Sequence, residues 1–486
     1  MNIVGRKAEQ QTLKAFFTSS QPEFLAIYGR RRIGKTFLIK QFFSEKDCFY
    51  FNSTGINKGS TKIQIDRFVK EIGHVFYKGT AIKACKTWLE ALDALADAIE
   101  KFVPKGKKVV LFLDEFPWMA AHRSGLLQAL DYMWNQHWST DPRIKLIICG
   151  SSASWIINKI INNKAGLHNR ITRKIQLMPF NLQEVNDFLI KQHIELKHKQ
   201  ITQLYMTTGG VPYYLLPAQR GLSATQLVEQ LAFQQNSFLF KEFDNLFSSL
   251  FEDANPYIEL LRIIAKNHYG IGQEEIISQS RHISRGGRVT SQLSALEEAG
   301  FIISFKPHLH KKRGIYYRLI DEYTLFYLDW IEPIRHTLQK QSLESGYWEG
   351  KQHSAAWYSW AGYAFESICY KHLSQIRKKL NIAPTAIANG WRYAPHAKSK
   401  EKGCQIDLLF DRDDDAITIC EIKYTDKPFA IDKDYAAQLN QKITVFKQKT
   451  NTKKQIFIAI ISANGLKKTI YSEEMVDGVV TLEDLF

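Results

Sequence analysis

One eight-residue stretch constrains this chain more than any other: Gly29-Arg30-Arg31-Arg32-Ile33-Gly34-Lys35-Thr36. A short apolar run, Phe24 to Tyr28, leads into it, and Lys35 to Phe43 follows with helical spacing of its apolar residues. Glycines let the loop wrap tightly, and free backbone N–H groups at a helix start point at whatever anion the loop encloses. Lys35 supplies a positive charge suited to β- and γ-phosphates, and the Thr36 hydroxyl is a ligand for Mg²⁺. The spacing G-x-x-x-x-G-K-T thus predicts an ATP·Mg²⁺ site bordered by Gly29, Arg30, Arg31, Arg32, Ile33, Gly34, Lys35, Thr36 and Phe37.

The surroundings suit such a loop. Cys48 to Phe51, Val109 to Leu113, Ile144 to Cys149 and Lys174 to Leu177 read as strands, with helices between them at Ile65 to Phe76, Trp88 to Phe102 and Leu126 to His137. Strands that alternate with helices predict a parallel sheet covered on both faces. The run Val109 to Leu113 ends in Asp114-Glu115. Asp114 is expected to hold Mg²⁺, commonly through water, and Glu115 to act as general base on the attacking water. Ser151 or Ser152, after the next strand, is expected either to sense the γ-phosphate or to cap the following helix. Arg170 and Arg173 precede the last strand, and one of them is a candidate arginine finger, acting in cis or from a second copy in a homo-oligomer. Surface arginines with a structural role fit those positions equally well.

Val4-Gly5-Arg6-x-x-Glu9, the glycine-rich loop, Asp114-Glu115, Gly150-Ser151-Ser152 and Gly209-Gly210-Val211-Pro212 occur in that order. The order resembles archaeal-type ATPases of the AAA+/STAND group over roughly residues 1 to 335. The resemblance implies an ATPase core, a helical lid and a winged helix, with Val4 and its neighbours near the adenine. Family members commonly carry Gly-Arg-Arg where this chain has His168-Asn169-Arg170, so only Arg170 carries over.

Beyond Asn181 the pattern turns helical, broken by Gly209-Gly210 and reopened at Pro212. Ile258 to Ala265, Glu274 to Ser278 and Val289 to Ala299 read as short helices, followed by a hairpin of Phe301 to Ser304 and Tyr316 to Leu319 with a basic tip at His308 to Arg313. Three helices and a hairpin form the winged-helix pattern. Arg281, Arg285, Arg288, Lys311, Lys312 and Arg313 are its candidate phosphate contacts, unless the module packs on the ATPase as a clamp. Leu338 to Gly350 reads as a connector, and Trp357 to Leu380 as one helix.

The last segment carries a second chemical pattern. Asp407 lies in the strand Gln405 to Phe410, an acidic turn follows, and the next strand ends Glu421-Ile422-Lys423. Residues two apart on a strand share a face, so Glu421 and Lys423 point one way and Asp407 can join them from its neighbour. Two carboxylates and a carbonyl can hold Mg²⁺ or Mn²⁺, and Lys423 can orient the attacking water. A cross-strand salt bridge without metal satisfies the same three residues. With Glu366 in Gly362-Tyr363-Ala364-Phe365-Glu366 ahead of it, the series resembles the PD-(D/E)xK nuclease superfamily over about residues 350 to 460. Gln438 and Lys442 on the following helix can add phosphate contacts, though their spacing reads more readily as an exposed helix face.

The expected fold is therefore multidomain α/β: a P-loop ATPase with a parallel sheet (1–180), a helical lid (181–250), a winged helix (251–336) and a C-terminal α/β restriction-endonuclease-like domain (350–486). Lys and Arg number 65 against 49 Asp and Glu, a net charge of +16 that favours anionic partners, DNA among them. Six cysteines without a C-x-x-C pair argue against zinc and for a reducing cytoplasm. No apolar run reaches the ~18 residues that would cross a bilayer, so no membrane partner is expected.

Overall fold

Five apolar runs of the N-terminal segment become five parallel strands in the computed structural model, which describes residues 2–121, 123–162, 167–234, 237–280, 286–306, 314–340, 346–393 and 403–486. They are β1 (Glu23–Tyr28), β2 (Phe49–Thr54), β3 (Val109–Asp114), β4 (Ile144–Gly150) and β5 (Arg173–Gln176), in the order β2-β3-β4-β1-β5. Every residue of β3 and β4 is buried, which is why both read as unbroken apolar runs rather than alternating ones. One face packs Phe68, Trp88, Leu92 and Leu95 from the helices Thr61–Phe76 and Trp88–Phe102. The other packs Leu13, Phe16, Leu38, Ile39 and Phe43 from the helices Lys7–Thr18 and Lys35–Phe43. Ser60 and Thr87 open the first two helices by accepting the N–H of Ile63 and Glu90, worth ~1 kcal/mol each. This strand order sets the C-terminal ends of β1, β3 and β4 side by side, so Gly29, Asp114 and Ser151 emerge on one edge of the sheet.

The chain divides into two compact units, residues 1–179 with 298–300 and the remainder. The second begins with the helices Leu182–Lys191 and His198–Thr208. Gly209 and Gly210 then both take positive φ, 62° and 68°. A Cβ on Gly210 would stand 2.1 Å from the Phe180 carbonyl oxygen, so only glycine lets this turn close. The helices Asn255–Ala265, Gln273–Gln279 and Gly287–Glu298 follow, with a small antiparallel sheet of β6 (Ile271–Gly272), β7 (Ile302–Phe305) and β8 (Tyr316–Leu319) in the order β6-β8-β7. Arg281, Arg285, Lys311, Lys312 and Arg313 lie outside the described residues, as does the hairpin tip.

A second five-stranded sheet closes the chain: β9 (Ile387–Tyr393), β10 (Cys404–Asp411), β11 (Ala416–Lys423), β12 (Gln455–Ser462) and β13 (Gly478–Thr481), ordered β13-β12-β11-β10-β9. The pairs β9/β10 and β10/β11 are antiparallel, and β11/β12 and β12/β13 parallel.

Two readings need correction. Trp357 to Leu380 is two helices, Ala355–Lys371 and Leu373–Lys379, because His372 leaves helical geometry. Its buried ring lies 2.7 Å from the Ile368 carbonyl oxygen through Nδ1 and accepts the Leu182 N–H through Nε2 at 3.1 Å. The end of the connector is helical, Tyr347–Lys351. Trp348, in the helix Tyr347–Lys351, is buried among Phe233, Phe326, Trp330 and Trp360, and its N–H donates to Glu229 at 2.6 Å.

Candidate functional sites

The loop between β1 and the helix Lys35–Phe43 has the backbone that an anion cradle demands. Gly29 has φ 143° and Gly34 has φ 90°. A Cβ on Gly29 would stand 2.2 Å from the Leu177 carbonyl oxygen, whereas one on Gly34 would meet nothing within 4 Å. Gly29 thus permits close packing on the chain after β5, and Gly34 permits the left-handed turn into the helix. Lys35 is buried, and its Nζ donates to the carbonyls of Gly29 (2.9 Å) and Arg30 (2.8 Å). Burial pulls its pKa below that of an ordinary lysine, against the opposing charges of Glu115 and Asp114. The loop is therefore curled around its own ammonium group, a charge that phosphate oxygens can take over from the carbonyls. Arg30 and Ile33 are buried, Arg31 and Arg32 half-buried, and Phe37 exposed.

The candidate carboxylates Asp114 and Glu115 lie at this loop. Thr36 Oγ1 donates to Asp114 Oδ2 at 2.9 Å, so the two expected Mg²⁺ ligands already touch. The hydroxyl and the carboxylate are hard oxygen donors of the kind Mg²⁺ takes, usually keeping several waters. Their donor set fits the ion. Glu115 has φ 46° and its N–H donates to Asp114 Oδ1 at 3.1 Å, which turns its side chain away from the axis of β3. Glu115 Oε2 accepts from Ser151 Oγ (2.8 Å) and from the Ser151 N–H (3.3 Å). Ser151 therefore grips the candidate base. Val4 is half-buried, and two residues on Arg6 is buried with Nη2 donating to the Ile33 carbonyl at 3.4 Å. That contact ties the N-terminal segment to the loop, and spacing alone gave no sign of it. Arg170 faces Asp131 at 3.9 Å. Arg173 pairs with Glu23 at 3.1 Å, a structural contact at the start of β1.

The second site sits on β10 and β11. Leu408 pairs with Cys420, so one step outward Asp407 falls opposite Glu421. Asp407 accepts the Ile422 N–H through Oδ2 (3.2 Å) and the Gln405 side-chain amide through Oδ1 (3.3 Å). Burial first, and then the charges of Glu366 and Glu421, push its pKa up to about 7, with Lys423 and Lys442 opposing. Glu421 is fully buried and heavily partnered: Lys442 Nζ at 2.7 Å, Tyr435 Oη at 2.8 Å and Lys423 Nζ at 3.4 Å. Lys442 thus faces inward from the helix Lys433–Thr450 onto an acid, not outward as its spacing suggested. Glu366, on the helix Ala355–Lys371, is buried against Arg318 Nη2 at 2.8 Å.

In this arrangement each of these acids is met by protein groups rather than left for an ion. Among the described residues no group of three or more His, Cys, Asp or Glu side chains is placed to hold a metal. As arranged, these acids do not fit a divalent ion: Lys423 and Lys442 meet Glu421, Arg318 meets Glu366, and Asp407 accepts the Ile422 N–H and the Gln405 amide. Removing one partner of such a buried pair costs about 3–5 kcal/mol, because the other charge is left without compensation.

Residues 3–217 match the family model described as an ATPase domain predominantly from Archaea. Over 430 residues the chain is 25% identical to the Uncharacterized protein MJECL04 of Methanocaldococcus jannaschii, covering 87% of this chain and 88% of that one. Among solved structures it is similar to the Walker-type ATPase PABY2304 of Pyrococcus abyssi, at 18% identity and TM-score 0.48, covering 67% of this chain and 96% of that one. The ORC2 protein of Aeropyrum pernix, in its ADPNP and ADP complexes, is similar at 16% identity and TM-score 0.42, covering 70% of this chain and 95% of that one. No helix among the described residues is long and apolar enough to cross a membrane. The loop at 29–36, its contact with Asp114 and the family match agree: the N-terminal part of this chain is an archaeal-type P-loop ATPase domain.

Proposed function

We propose that this protein is a DNA-associated, ATP-hydrolysing machine whose C-terminal domain is a PD-(D/E)xK nuclease-like domain under nucleotide control. The observation that carries the reading is the meeting of Asp407 with Glu421 and Lys423 on adjacent strands, in a chain whose first domain is an ATPase. Thr36 and Asp114 would hold Mg²⁺, which when bound would neutralise phosphate charge. Glu115 takes a proton from the water that attacks the γ-phosphate, and Lys35 steadies the β- and γ-phosphates. Arg170 is the proposed finger, Ser151 the residue that orients Glu115, and Val4 a neighbour of the adenine. The segment 181–250 serves as lid and 251–336 as winged helix. Arg288, with its side chain 79% exposed, is available there for a phosphate, and the net charge of +16 favours such contact.

A specific observation favours a second reading, an ATP-driven switch of the STAND type whose C-terminal domain binds DNA or a partner without cutting. Glu366 and Glu421 are neutralised by Arg318 and Lys442. One assay separates the two. Plasmid DNA is incubated with the full chain, Mn²⁺ or Mg²⁺, and with or without ATP, beside Asp407→Ala. The nuclease reading expects ATP-dependent loss of supercoiled plasmid that Asp407→Ala reduces by about 10²-fold or more. Equal loss from both proteins, or none from either, leaves the switch.

A further inference from the structure

We propose that Arg318 is a removable occupant of the C-terminal acidic site, a guanidinium that supplies the positive charge of a divalent ion and keeps the site closed to metal. The inference rests on the nuclease reading above and adds its regulation.

Arg318 does not come from the sheet that carries the other members. It stands on β8, opposite Ile303 of β7. Its side chain and that of Glu366 are only 8% and 10% exposed, and they meet at 2.8 Å. The guanidinium lies 5.0 Å from the centre of the Tyr370 ring, and the Tyr370 hydroxyl donates to the Asp407 carbonyl at 2.7 Å. One cation thus engages the Glu366 carboxylate directly and lies over a ring whose hydroxyl holds the Asp407 main chain. A metal that took Glu366 as a ligand would have to displace it, since a carboxylate held by a buried cation has no free charge to offer.

Glu421 differs in an instructive way. Its partners Tyr435, Lys442 and Lys423 all belong to the same sheet and its covering helix. Arg318 alone among these cations comes from outside that sheet and helix, on β8. A cavity of about 890 Å³ adjoins it, lined by Arg318, Tyr370 and Asp407 with Tyr269, Tyr316 and Trp391, and gives the side chain room to withdraw.

A second pair of reversed polarity ties the same helix, Ala355–Lys371, to the helix Glu322–Phe326 that follows β8. Glu322, four residues after Arg318, is fully buried against Lys371, five residues after Glu366. The Glu322 carboxylate also touches the glycine turn: a Cβ on Gly209 would stand 3.0 Å from its Oε2. The clasp therefore borders the Gly209-Gly210 turn, a point from which movement of the preceding helices can reach Glu322 and Lys371.

The test is Mn²⁺ binding to the nucleotide-free full chain, followed by electron paramagnetic resonance. Every protein carries Thr36→Ala so that the P-loop contributes no metal. Arg318→Met should bind one Mn²⁺ about tenfold or more tighter than the parent. Arg318→Lys, which keeps the charge, should match the parent, and Arg318→Met/Asp407→Asn should lose the gain. If Arg318→Met fails to fold, Arg318→Gln replaces it, since the amide can still donate to Glu366. A parent that already binds Mn²⁺ as tightly as the neutral variant, in an Asp407-dependent manner, overturns the occupant role and leaves the nuclease reading standing. Absence of Asp407-dependent Mn²⁺ binding in every folded variant overturns both.

Discussion

Replacing Lys35 with alanine weakens ATP·Mg²⁺ binding by about 100-fold or more and removes turnover with it. Two charge-assisted hydrogen bonds to phosphate oxygens contribute roughly 1.5–3 kcal/mol each, and every 1.4 kcal/mol is tenfold in affinity. No other lysine of the loop can substitute, because Arg30, Arg31 and Arg32 are its only further cations, and Arg30 is buried. The fold survives the change. Lys35 is buried with its ammonium on the Gly29 and Arg30 carbonyls, and water can reach those carbonyls once the side chain is gone. Titration with a fluorescent ATP analogue reads the loss directly, and unchanged binding would mean that the triphosphate sits elsewhere.

Glu115→Gln separates binding from chemistry. The amide keeps the size of the carboxylate and can still accept from Ser151 Oγ, which now donates at 2.8 Å. ATP affinity should therefore stay within a few-fold, while phosphate release falls by about 10²–10⁴, the usual worth of a general base. The variant should accumulate bound ATP, measured by nucleotide extraction after gel filtration. If turnover is undiminished, another group activates the water, and the contact between Ser151 and Glu115 is only structural.

These two predictions concern the part of the molecule most legible in the sequence. The glycine-rich loop is local, and the β1 and β3 runs that present it are buried on both faces, so motif and strand lie within a few residues of each other. The acid at the end of β3 was readable for the same reason. What escaped is non-local. Arg318 and Glu366 are 48 residues apart, and Lys442 and Glu421 are 21 apart on a helix and a strand. Helical spacing assigned Lys442 to an exposed face because its stem lies at the edge of a mostly polar helix, and only the packing of that helix on β10 and β11 turns it onto Glu421. The break at His372 had no signature either, since it depends on the Leu182 N–H from a distant helix. Trp348 sits between charged and polar neighbours, a pattern that reads as linker until Phe233, Phe326 and Trp330 surround it.

The most direct test of the account is a crystal structure of the full chain with Mg²⁺ and a non-hydrolysable ATP analogue. The β- and γ-phosphates should lie on the amides of residues 29 to 36, with Lys35 Nζ turned from the two carbonyls onto phosphate oxygen. The ion should stand about 2.1 Å from Thr36 Oγ1 with Asp114 beside it, directly or through water. A nucleotide bound away from this loop, or a Lys35 still holding Gly29 and Arg30 with the analogue present, would contradict it.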